Sequence, residues 1–122
     1  MIEISRIEKS IKNEKFLFKY FGKEELEFFK MKNFSVQSIA GNFCAKEAFL
    51  KSIKLRIKNF EFKDVQILRG KFKEPYFKFP EKLFDFFKDN NYDFSISITH
   101  TKKYASAVVV YASVLELVDR HV

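Results

Sequence analysis

The stretch SVQSIAGNFCAKEAFLKSIK, residues 35–54, decides how this chain is read. It contains no proline, and its apolar residues recur three and four apart, so the spacing predicts one long helix. At about 100° per residue, Val36, Ile39, Ala40, Phe43, Leu50 and Ile53 share one broad apolar face. Ser38, Gly41, Ala45, Ala48 and Ser52 share the other, and all are small. A helix with these two faces packs on both sides rather than lying on a surface. Glu47 falls between Phe43 and Leu50 on the apolar face, flanked by Lys46 and Lys51. A carboxylate there is costly unless it is paired or bound to a metal. The plainer alternative is an ordinary helical ion pair, since Glu47 and Lys51 stand at i and i+4 in the favourable order.

Upstream, residues 1–4 read as the end of a short strand. A helix follows from Ser5, with Ser5 as cap and Glu8 three residues on, as in a capping box. Ile4, Ile7, Ile11, Phe16, Leu17 and Tyr20 form its apolar stripe, and Gly22 is its stop. Residues 23–31 predict a second short helix, with Leu26, Phe29 and Lys30 at helical spacing. Downstream the period changes. Val65 and Ile67 predict a strand closed by Arg69 and Gly70. Residues 75–79 predict an edge strand because Pro75 cannot donate to a ladder. Residues 80–88 predict a helix with proline in its first turn and Leu83, Phe84 and Phe87 inward. Phe94, Ile96 and Ile98 alternate with Ser95, Ser97 and Thr99, as in a half-buried strand. Residues 100–103 make a turn. Tyr104 to Leu117 then reads as a long buried strand. The fold class is α+β, with helices packed on a small, mostly antiparallel sheet.

The 122 residues suit a single domain spanning 1–122. Hydrophobic residues make up 47% and charged residues 32%, which excludes a disordered chain. One cysteine excludes an internal disulfide. No apolar run reaches the length of a bilayer span, so the expected setting is cytoplasmic. The net charge is +7 and uneven: residues 1–60 hold 13 basic and 7 acidic side chains, residues 61–122 hold 10 and 9. The basic excess in the first half points to an anionic partner. Arg6, Lys9, Lys12, Lys15 and Lys19 supply it, whether as a docking face or as a solvated one. Ser97, Thr99, His100 and Thr101 form a possible phosphate-binding rim, donating from hydroxyls and imidazole, or simply a stabilised hairpin. There is no phosphate-binding glycine motif and no zinc-type cluster.

Together these groups resemble one family. Residues 2–8, IEISRIE, look like the tail of the N-terminal motif of holo-acyl-carrier-protein synthases, the short class of 4′-phosphopantetheinyl transferases. Residues 39–48, IAGNFCAKEA, followed by Lys51, are similar to their signature helix. Residues 62–68 resemble the strand after it, and 97–101 with Tyr104, Ala105 and Ala107 the closing hairpin. The resemblance implies a 4′-phosphopantetheinyl transferase-like fold. It implies a magnesium-dependent enzyme of fatty acid biosynthesis that moves the phosphopantetheine arm of coenzyme A onto a serine of apo acyl carrier protein, releasing 3′,5′-ADP. Glu47 would be a Mg2+ ligand, and Glu47, Lys51 and His100 would be catalytic. Lys46, Lys51, Thr99, His100 and Thr101 would lie near coenzyme A, and Arg6, Lys9 and Lys12 would meet the carrier protein. The family forms homotrimers with active sites between subunits. The family pattern also places a metal-binding aspartate six residues before Arg6, immediately ahead of Met1. The expectation is that the N-terminal strand is truncated here. The alternatives are a catalytically impaired relative, with Glu3 or water completing the metal shell, and a basic nucleic-acid-binding module.

Overall fold

The computed structural model describes residues 1–53 and 60–113. Among these residues, five helices pack on two small antiparallel sheets. In chain order the elements are β1 (Ile2–Glu3), α1 (Ile4–Ser10), α2 (Glu14–Tyr20), α3 (Lys23–Met31), α4 (Val36–Ile53), β2 (Gln66–Arg69), β3 (Pro75–Lys78), α5 (Glu81–Asp89), β4 (Tyr92–His100) and β5 (Tyr104–Ser113). A 3-10 turn at Phe62–Asp64 leads into β2. One sheet has the order β1-β5-β4, and β2 pairs with β3 in the other. Every ladder is antiparallel, as the α+β reading expects.

The first helix is two helices. α1 ends at Ser10, and Asn13 caps α2 by accepting the Lys15 N–H at 3.0 Å. Asn competes with the helical backbone for its hydrogen bonds, and this is what breaks the run. Glu3, not Ser5, occupies the N-cap of α1, and it makes no side-chain cap, so the Ser5–Glu8 box does not form. The helix starts early because β1 runs straight into it, with the Ile4 N–H donating to the Lys103 carbonyl at 2.8 Å. Gly22 ends no helix through a left-handed turn. It begins α3 with extended backbone, and a side chain there would collide with Gln66.

α4 crosses the larger sheet, and its deepest stripe is Ile39, Asn42, Lys46, Phe49 and Ile53, all buried. The small face holds as expected: a Cβ on Gly41 would lie 2.8 Å from Ile98 Cγ2. Two apolar clusters flank the helix. One gathers Ile4, Ile7, Phe21, Phe29, Ile39, Ala40, Cys44 and Ala105. The other gathers Phe49, Ile53, Val65, Leu83 and Phe87. In α5, Leu83 and Phe87 face inward as the spacing predicts, but Phe84 is exposed. β4 alternates as predicted. β5 is buried on one face only: Val108 and Val110 are each 59% exposed, so the long apolar run is not a strand covered on both sides. Its expected continuation over 114–117 lies outside the described residues. No helix among those described is long and apolar enough to cross a membrane.

Candidate active site

α4 carries three charged side chains in one six-residue span, and its rotation separates them. Glu47 and Lys51 emerge on the solvent side and pair at 3.4 Å, with side chains 46% and 76% exposed. Glu47 is therefore not enclosed by the apolar face. It sits at its edge, in a small cavity with Met1, Ile2, Phe43, Lys51 and Ala107. Glu3 points to the opposite side of the strand from Ile2 and does not line that cavity.

Lys46 corrects the sequence reading. It is wholly buried, and its ammonium is bound to Glu25 of α3. The expectation that it lies near coenzyme phosphates does not survive this placement. Glu25 Oε1 also accepts the Gly22 N–H at 3.1 Å, and Oε2 accepts from Asn42 Nδ2 at 3.1 Å. Asn42 Nδ2 also donates to the Ile67 carbonyl at 2.9 Å, which leaves its Oδ1 to accept Arg69 Nη2 at 2.8 Å. The Arg69 guanidinium rests 5.0 Å from the Phe28 ring. Burial pushes the Glu25 carboxyl up and the Lys46 ammonium down, each opposed by the partner's charge. Burial likewise lowers Arg69.

His100 lies at the end of β4 and lines a separate cleft of about 740 Å³ with Ser97, Ile98, Arg69, Lys73, Ser38 and Phe28. Thr99 is exposed on the other side of the strand. Thr101 is occupied by the turn: its Oγ1 accepts the N–H groups of Lys103 at 3.3 Å and Tyr104 at 3.1 Å. Arg6, Lys9 and Lys12 are exposed along α1 and the turn after it. The structure thus joins Glu47 to Lys51, joins His100 to Arg69 and Lys73, and leaves the two groups in different cavities of one chain. Sequence reasoning missed Glu25, Asn42 and Arg69. Glu25 stands four residues before the buried Phe29, and that spacing was the available signal.

Among the described residues, no three His, Cys, Asp or Glu side chains gather as a metal cage. Mg2+ does not require one, since it keeps several waters and is held by one or two carboxylates together with substrate phosphates. Glu47, half-exposed and paired with the exposed Lys51, fits that donor set.

Comparison with known proteins gives this geometry a context. The profile of the 4′-phosphopantetheinyl transferase superfamily matches residues 2–109. The chain is 37% identical over 111 residues to holo-[acyl-carrier-protein] synthase of Clostridium botulinum, covering 90% of each. It is 38% identical over 112 residues to the protein of that name from Fusobacterium nucleatum, covering 90% of this chain and 92% of the relative. Among solved structures, Helicobacter pylori holo-[acyl-carrier-protein] synthase in complex with coenzyme A superposes with a TM-score of 0.76 at 33% identity, over 91% of this chain and 95% of that one. The Neisseria meningitidis synthase shares the fold, with a TM-score of 0.79 at 24% identity over 91% and 92%. The chain belongs to the 4′-phosphopantetheinyl transferase superfamily.

Proposed function

We propose that this protein is a holo-[acyl-carrier-protein] synthase. It transfers the 4′-phosphopantetheine arm of coenzyme A to a serine of apo acyl carrier protein and releases 3′,5′-ADP, in the cytoplasm and in the service of fatty acid biosynthesis. The observation that carries this reading is that Glu47 and Lys51 line one cavity together on a helix whose inner stripe, Ile39, Asn42, Lys46, Phe49 and Ile53, is buried. The near full-length likeness to synthases of that name supports it.

In the reaction the serine oxygen forms a bond to the phosphorus that bears the pantetheine arm. The bond from that phosphorus to the departing 3′,5′-ADP oxygen breaks, and the serine hydroxyl proton passes to water. Such a step depends on positioning and charge neutralisation rather than on covalent help from the protein. When bound, Mg2+ held by Glu47 would neutralise the diphosphate. Lys51 places an exposed cation one helical turn away, where it would meet the negative charge that accumulates on the leaving phosphate. Arg69, Lys73 and His100 present cationic and donor groups to the rest of an anionic coenzyme. Arg6, Lys9 and Lys12 steer and seat an acidic carrier protein.

The two half-sites argue for assembly. Glu47 and His100 line different cavities of one chain, so a neighbouring copy is needed to bring them to one substrate. The exposed valines of β5, opposite Ser95 and Ser97 of β4, offer an apolar face for a neighbouring copy. A homotrimer satisfies both.

The test is transfer of a labelled arm from coenzyme A to apo carrier protein, with and without Mg2+. Transfer is expected only with the metal. Glu47→Gln is expected to lower it by about 10²–10³-fold, the scale of losing one group that stabilises transition-state charge, with the fold unchanged. Normal turnover of Glu47→Gln, or no transfer by the native protein at any Mg2+ concentration, would refute the reading.

A further inference from the structure

We propose that Lys46 is a positioning residue rather than a substrate contact. With Glu25 and Asn42 it forms a buried polar network, joined at its edge by the part-buried Arg69, that sets the rotation of α4 and so aims Glu47 and Lys51 outward. The catalytic consequence rests on the function proposed above; the placement of Lys46 does not.

The network joins three elements. Glu25 comes from α3, Asn42 and Lys46 from α4, and Arg69 from β2. The Lys46 ammonium also lies 4.8 Å from the centre of the Phe21 ring. Among the described residues no buried side-chain nitrogen or oxygen lacks a partner. The connection is ordered by chemistry. Glu25 only accepts, Lys46 and Arg69 only donate, and Asn42 does both, which fixes the direction of its amide. A network of this kind fits one arrangement of the helices, whereas an apolar seam tolerates sliding.

Helical geometry turns that constraint into function. Adjacent residues lie about 100° apart around the axis, so pinning Lys46 to the interior fixes Glu47 at the rim and carries Lys51 with it. For Lys46 to reach a phosphate, α4 would have to rotate by about that angle. The same rotation would leave Glu25 buried without its cation. Replacing both members of a buried pair is often nearly neutral, whereas removing one is strongly destabilising, because the other charge is left uncompensated. That asymmetry separates positioning from contact.

The experiment compares the native protein, Lys46→Met and Glu25→Gln/Lys46→Met. The glutamine keeps an acceptor for the Gly22 N–H. Coenzyme A binding is measured by calorimetry without carrier protein, kcat and KM are measured by transfer, and folding is followed by circular dichroism. Lys46→Met is expected to lose about tenfold in coenzyme A affinity and about 10² in kcat, the scale of a small misplacement of reacting groups. The double variant is expected to return to within about threefold of native affinity and about fivefold of native kcat. A folded double variant that binds coenzyme A as weakly as Lys46→Met would show that Lys46 touches substrate, and would overturn the proposal. So would a Lys46→Met protein with a lower Tm but native affinity and kcat, because the network would then be structural only. If Lys46→Met does not fold, the double variant against native protein decides: restored affinity supports the proposal and weak affinity overturns it. A native protein that binds coenzyme A but transfers nothing would refute the synthase function while leaving the binding comparison decisive.

Discussion

Replacing Gly41 with alanine tests whether α4 touches the β4–β5 hairpin as closely as the structure has it. The new Cβ would lie 2.8 Å from Ile98 Cγ2, about 1 Å inside the best carbon–carbon separation. Ile98 cannot easily yield. Its Cγ2 sits on a β-branched carbon with one preferred rotamer, and its backbone is locked opposite Ala107 in the β4–β5 ladder. Overpacking of this kind costs about 1–3 kcal/mol. Against it stands the helix preference for alanine over glycine, about 1 kcal/mol. The steric cost wins, leaving a net loss near 1 kcal/mol, or about 3–6 °C in Tm for a chain of this size.

Urea denaturation measures the loss, and a second background makes the sign decisive. In Ile98→Ala the opposing methyl is gone, so Gly41→Ala is expected to stabilise that protein by up to about 1 kcal/mol. The effect should therefore reverse between the two backgrounds. The same sign and size in both would refute the close approach of α4 to β4. Transfer should fall as well in the single variant, because His100 lies two residues beyond Ile98 on the strand that must move.

Two further outcomes follow from the structure. The Glu24 carboxyl is held down to about 2 by hydrogen bonds from Lys78 at 2.6 Å and Gln66 at 2.5 Å. A carboxyl lowered in the folded state stabilises it above the ordinary value of 4.5 and loses that contribution as pH falls from there towards 2. Solvent screens much of the effect at this partly exposed site, so about 1 kcal/mol or less is expected. Urea midpoints of native protein and Glu24→Gln should converge across that acid window, and parallel curves would contradict the assignment. In Val108→Glu/Val110→Glu, like charges crowd the exposed face of β5. If the proposed trimer forms through this face, light scattering is expected to give a trimer mass for the native protein and a monomer mass for the variant, and an unchanged mass would place the interface elsewhere.

Much of the fold was legible because it rests on periodicity. α4 begins one residue after its predicted start and is helical up to Ile53, where the described residues pause, and β4 shows the predicted alternation of Phe94, Ile96 and Ile98 with serine and threonine. What periodicity does not carry was misread. The break between α1 and α2 depends on one local hydrogen bond of Asn13, and an apolar stripe running through it gives no sign of that bond. The β5 run looked buried because valine favours strands on either face; exposure of Val108 and Val110 depends on what packs against them, not on residue type. Arg69 read as the close of a strand because only the folded β2–β3 hairpin brings it to Asn42.

The reading of α4 went wrong in a way that explains the helix better. A charge among apolar residues was expected to be Glu47, and the cost of burying it was expected to be met by an ion pair or by a metal. The buried charges are instead Glu25 and Lys46, and the cost is met by a cation, an amide and backbone donors. That leaves Glu47 half-exposed, restrained only by a salt bridge of the kind worth about 0.3–0.5 kcal/mol on a helix surface. On the proposed function, such a pair is weak enough for Lys51 to turn to a diphosphate and for the carboxylate to take a divalent cation. A carboxylate held in a core pair could do neither without breaking contacts that join three elements. The lysine beside it therefore acts in the opposite sense. Lys46 neutralises a carboxylate inside the protein, and Glu47, one residue on, keeps its own charge available at the surface.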